Sequence, residues 1–136
     1  MTNFESDFFQ KFKFTKEQIN NYFQGALRDL EIARKDPFAE VRFTYAYQSL
    51  IKAGIALLAK VGSVRVRSVP GHHVKIIQKM GEILNDKDIA VIGDAMREKR
   101  NHNFYTGAEA ITEKEAKDYL EFVEMVVQKV KSKFHS

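Results

Sequence analysis

The chain has 136 residues, with 22 Lys+Arg against 18 Asp+Glu, a formal charge of +4 and a pI near 9.2, which is one domain's worth of mildly basic sequence. Glycine and proline together number nine, while apolar residues make up 44% and charged residues 29%, a balance that excludes collagen-like, disordered and disulfide-rich chains and suits a helical domain. Cysteine is absent, so disulfides, thiolate metal sites and a cysteine nucleophile are excluded.

The first 14 residues form a Phe-rich arm, with Phe4, Phe8, Phe9, Phe12 and Phe14 ahead of the first helix signal. Left in water, so aromatic a segment would be a large apolar patch. It is expected to be a short helix covering one end of the domain, or else a docking arm. The start shows no basic n-region with an apolar h-region, and no apolar run approaches the roughly 20 residues needed to span a bilayer. The expectation is a soluble, cytoplasmic protein without a membrane partner.

Thr15 and Gln18 make a capping box that opens a helix over Lys16–Lys35, with Phe23, Ala26, Leu30 and Ala33 at helical spacing. Asp36-Pro37 ends it and starts a second helix running to Gly62, a natural terminator. Residues 62–70, Gly-Ser-Val-Arg-Val-Arg-Ser-Val-Pro, alternate like a strand but have no evident pairing partner, so a loop is expected. A third helix follows from Gly71 to Leu84, and a fourth, capped by Asp86, from Lys87 to about Arg100. Residues 101–111 read as a polar turn. A second capping box, Thr112 and Glu115, opens the last helix, whose stripe runs from Ala116 to Phe134. The resulting expectation is a single all-α domain over 1–136: the arm at 1–14, then an antiparallel four- or five-helix up-down bundle at 15–136.

Few residues can carry chemistry. His72, His73, His102 and His135 include no pair at i, i+4 and no H-E-x-x-H, and no Gly-rich phosphate loop occurs. No metal and no cofactor are expected. The segment Met96-Arg97-Glu98-Lys99-Arg100-Asn101-His102-Asn103-Phe104-Tyr105 gathers Arg, His, Asn and Tyr where the fourth helix ends. Arginine beside histidine is the minimum for metal-independent RNA cleavage, because histidine moves a proton and arginine stabilises charge on phosphate. The plain structural reading is that cations at a helix C-terminus complement its dipole.

Charge is also clustered. From Val41 to Gly81 there is no acid, while Arg42, Lys52, Lys60, Arg65, Arg67, Lys75 and Lys79 are positive, the footprint of a polyanion track. Arg42, Lys52 and Lys60 read better as outward helix faces paired with neighbouring acids. Arg65, Arg67, His72, His73, Lys75 and Lys79 are the nucleic-acid-binding candidates. Of Tyr45 and Tyr47, which face different sides of the second helix, at most one is expected in the core.

The order of elements, with Phe43-Thr44-Tyr45-Ala46-Tyr47-Gln48-Ser49-Leu50-Ile51-Lys52-Ala53 on the second helix and Arg97 to Tyr105 before the last, resembles the HEPN superfamily over about Thr15 to Phe134. Val64 to His73 resembles one prokaryotic branch of it. The resemblance implies a helical bundle that dimerises, and membership among ribonucleases or toxins paired with minimal nucleotidyltransferases. It also implies an active motif of Arg, then His after four to six residues, with a polar residue after the Arg. Arg97 and His102 fit one register, with Glu98 after the arginine. Arg100-Asn101 fits another, with Tyr105 in the histidine's place, and a phenol of pKa about 10 is a poorer proton acceptor than an imidazole. The implied site is shared across a dimer: Arg97 or Arg100 on the scissile phosphate, His102 as acid or base, and Asn101 orienting them. Three expectations stand: an RNA-binding, toxin-type endoribonuclease needing no metal; a degenerate HEPN module that binds a nucleotide or a nucleotidyltransferase partner; and a helical scaffold without a ligand.

Overall fold

The computed structural model describes residues 2–106 and 111–135, with only the backbone described over 103–106. In chain order they form β1 (Phe9–Lys11), α1 (Lys16–Lys35), α2 (Ala39–Leu57), a π-helical turn (Leu58–Gly62), β2 (Val64–Val66), α3 (His72–Ile83), α4 (Lys87–Thr106) and α5 (Glu113–Phe134). The architecture is predominantly helical, and no described helix is long and apolar enough to cross a membrane.

Both capping boxes form: the Thr15 hydroxyl accepts from Gln18 N–H, the Thr112 hydroxyl accepts from Glu115 N–H, and the Gln18 and Glu115 side chains reach back to the cap N–H groups. These reciprocal bonds satisfy donors that every helix start leaves unpaired, so α1 and α5 begin where sequence places them. Asp86 Oδ1 accepts from Asp88 N–H at 3.0 Å at the start of α4.

α2 is the central helix. Phe43, Ala46, Tyr47, Leu50, Ile51, Ala53, Ala56 and Leu57 are all buried, a nearly all-round apolar surface suited to a helix enclosed by others. α1 and α5 pack against it, and α3 packs on both α2 and α4. Gly54 makes the α2–α3 approach possible, since a Cβ there would lie 2.5 Å from Ile76 Cγ2 and 2.6 Å from Met80 Sδ.

The structure differs from the sequence expectations at five places. The Phe-rich arm is not a helix: its Phe9–Lys11 is a strand. The segment after Gly62 is likewise not all loop, because Val64–Val66 pairs antiparallel with it, Phe9 opposite Val66 and Lys11 opposite Val64. Each strand supplies what the other lacks, and they lie far apart in sequence. Pro37 does not open α2; Asp36 Oδ1 accepts from Phe38 N–H at 2.9 Å, and the helix begins at Ala39. At the other end, α2 gives way to the π-helical turn, and Ser63, not Gly62, takes the left-handed conformation at φ +50°. Finally, α4 continues through Asn101 to Thr106 instead of ending at Arg100, while 107–110 of the expected polar turn lie outside the described residues. Asparagine disfavours a helix interior by only about 0.7 kcal/mol, and the Lys99 ammonium pairs with Glu115 at the start of α5, holding this turn against it.

The arm is tied down by more than its strand. Phe9 is buried and packs edge-on against Phe4 at 5.3 Å. Glu5 receives two ammonium groups from α3, Lys75 Nζ at 2.6 Å and Lys79 Nζ at 2.8 Å. Arg67 N–H donates to Phe8 O at 2.7 Å and Arg67 Nε to Ser6 O at 2.9 Å. The arm thereby fixes both ends of the β2–α3 connection.

Candidate functional site

That connection forms one wall of a cleft of about 350 Å³, lined by Ser68 to Val74 on one side and by Arg97, Arg100 and Asn101 of α4 on the other. Gly71, at φ +83°, turns the chain into α3 in a conformation that disfavours any side chain, and no side chain caps the helix start. His72 N–H donates to Val69 O at 3.1 Å, and the first turn of α3, His72 to Val74, lines the cleft wall, where the positive end of a helix favours an anion.

His72 Nδ1 lies 2.8 Å from Val69 O. A carbonyl only accepts, so Nδ1 carries the proton, and in the neutral ring Nε2 keeps its lone pair. His73 stands beside it, the two rings meeting at 4.4 Å, and its Nδ1 is 2.9 Å from the Tyr47 hydroxyl. Tyr47 is a core residue of α2, 1% exposed, and a buried phenol requires such a partner. Burial pulls the His73 imidazole down to about 4, helped by the charges of His72, Arg100 and Arg97. It pushes the Tyr47 phenol up to about 12, against the pull of those two arginines. Near neutral pH the pair is an uncharged imidazole bonded to an uncharged phenol.

The two arginines differ. Arg97 Nε donates to Asp94 Oδ1 at 2.8 Å, with Glu98 Oε1 3.7 Å from the same guanidinium, so part of its charge is already offset. Arg100 stacks at 5.6 Å over the Tyr47 ring and has no carboxylate partner among the described residues. Its guanidinium is thus the group best placed to take an incoming anion, and planar N–H pairs suit phosphate oxygens.

The cleft therefore combines two sets that sequence kept apart: Arg97, Arg100 and Asn101 from the catalytic candidates, His72 and His73 from the binding candidates. His102 is exposed on α4 and does not line it. Tyr105 lies on α4, and its side chain is outside the described residues. Lys75 and Lys79 face Glu5, Lys79 almost fully buried. Arg65 and Arg67 lie on and just after β2, outside the cleft. Arg42 pairs with Glu113 and Lys52 with Asp29.

Sequence reasoning missed Tyr47 as the orienter of His73 and Asp94 as the partner of Arg97. The second had a signal, since residues three apart on a helix are neighbours; the first had none. Among the described residues no group of three or more His, Cys, Asp or Glu is placed to hold a metal ion. Compared with protein-family models, with curated proteins and with solved structures, the chain finds no match in any of the three.

Proposed function

We propose that this is a HEPN-like RNA-binding protein whose cleft holds a phosphodiester and cleaves it without a metal. The observation that carries the reading is the convergence of His72 and His73 with Arg97, Arg100 and Asn101 on one cavity. Arg100 anchors the phosphate, Arg97 adds to it while held by Asp94, and the α3 N–H groups face the remaining oxygens. His72 Nε2 takes the proton from the ribose 2′-OH as the 2′-oxygen forms its bond to phosphorus. The bond to the 5′-oxygen breaks, that oxygen acquires a proton from water, and a 2′,3′-cyclic phosphate and a 5′-hydroxyl result. His73, held uncharged by burial, positions His72 through their ring contact. Two copies paired about a two-fold axis, as the family resemblance implies, would bring identical α4 surfaces together.

One observation favours a second reading. His102, the histidine of the resembled motif, lies outside the cleft, as a degenerate module that binds a nucleotide or a nucleotidyltransferase partner without cutting would allow.

Incubation with labelled RNA in EDTA tests both. Loss of cleavage by a factor of about 100 or more in His72→Ala, with His102→Ala unaffected, supports the assignment. Equal cleavage by wild type and His72→Ala refutes it. No cleavage by wild type, with RNA binding weakened in Arg100→Ala, leaves the binding module.

A further inference from the structure

A second, larger groove of about 660 Å³ adjoins the cleft and shares Ser68 with it. Its wall is aromatic: Phe12 and Phe14 lie 4.6 Å apart, and Phe14 meets Tyr22 edge-on at 5.9 Å. Phe12 and Tyr22 remain more than a third exposed, although Phe4, Phe8, Phe9 and Phe14 of the arm are buried or partly buried. The groove also contains Arg65 and Arg67, neither with a carboxylate partner among the described residues. Arg65 stacks 5.3 Å over the Phe12 ring while its Nε donates to Gln10 Oε1 at 3.0 Å. Gln10 and Gln18 also line it, and in both the engaged atom is the amide oxygen, the second accepting from Thr15 N–H at 2.9 Å. Their NH₂ groups are thus donors to offer.

Flat apolar faces, uncompensated guanidinium groups and side-chain donors are three features that together match an unpaired nucleobase joined to phosphate: stacking, charge neutralisation, and hydrogen bonds to base carbonyls. A duplex hides its base faces and needs only the charges. A second copy of this chain would bring the same uncompensated arginines against themselves. We infer that the groove between the arm and β2 is a base-stacking subsite, and that the protein's ligand is single-stranded RNA, a base lying on Phe12 and Tyr22 while a neighbouring phosphate enters the His72–Arg100 cleft. The inference rests on the proposed function for the phosphate end of the strand.

Fluorescence anisotropy with labelled oligouridine, and with a duplex of equal length, provides the test at fixed salt in EDTA. Phe12→Ala and Tyr22→Ala are each expected to weaken oligouridine binding by about tenfold, with duplex affinity and the salt slope unchanged, while Phe12→Tyr and Tyr22→Phe bind as wild type. Photocrosslinking of 4-thiouridine-containing RNA to wild-type protein gives an arm independent of any variant's folding: adducts on the Phe12 or Tyr22 peptides support the subsite, and adducts only elsewhere overturn it. Wild-type oligouridine affinity in both alanine variants overturns it, as does equal loss of single strand and duplex. Self-association that Phe12→Ala abolishes, without RNA binding at the groove, also overturns it in favour of a second copy. Arg100→Ala separates the two ideas. If it leaves affinity unchanged while Phe12→Ala weakens it, the cleft reading fails and the groove stands; the converse sinks the groove alone.

Discussion

Glu5→Gln probes the tie that holds the arm to α3. Lys75, hydrogen-bonded to the Glu5 carboxylate, and Lys79, ion-paired with it, bring it down from 4.5 to about 2. At about 1.4 kcal/mol per pH unit of displacement, the ceiling on this stabilisation is about 3 kcal/mol. The Glu5 side chain is 31% exposed, so solvent screening reduces the figure to about 1–2 kcal/mol. The nearly buried Lys79 would then retain, among the described residues, only Glu82, 3.5 Å away, which adds to the loss because an under-paired buried cation is costly. The expected penalty is about 2 kcal/mol at pH 7. Because the folded value is depressed, the stabilisation is complete above about 4.5 and disappears as pH falls toward 2. Urea unfolding of wild type and Glu5→Gln at pH 7 and at the lowest pH where both fold would show the gap closing. An equal gap at both pH values, or none at pH 7, refutes the electrostatic account.

Gly54→Ala forces a methyl group against Ile76 and Met80 and should cost about 1–3 kcal/mol in urea unfolding; a neutral result would show that α3 moves away freely. Thr112→Ala removes the hydroxyl half of the α5 capping box and should cost about 1 kcal/mol, read as a lower Tm. His73 should titrate near 4 when its ring protons are followed by NMR. Since its folded value is depressed, the unfolded chain binds more protons between about 4 and 6.5, and stability falls as pH drops through that window. Tyr47→Phe, which keeps the packing but removes the hydroxyl bonded to His73, should shift that titration, and an unchanged midpoint would show that the hydroxyl bond does not influence it.

How much was legible in the sequence depended on distance along the chain. The Thr15–Gln18 and Thr112–Glu115 boxes are local, each made within four residues, so α1 and α5 start where the residues alone place them. The end of α4 lies beyond Asn101 because a helix-terminating preference of only about 0.7 kcal/mol is outweighed by contacts to other elements. The small sheet was illegible for a stronger reason: β1 finds its partner β2 only across all of α1 and α2, far beyond the reach of local pattern.

Composition and periodicity by themselves determined a mostly helical domain, most of its helix limits, the Arg97–Asn101 cluster and the acid-free stretch, since each follows from residue chemistry or from neighbours within a turn or two. Only the tertiary structure decided which of those residues meet. His72 and His73 face Arg100 because α3 packs on α4 and buried Tyr47 needs a hydrogen-bond partner, whereas His102, closer in sequence to the same arginine, is turned out of the cleft by the rotation of its own helix.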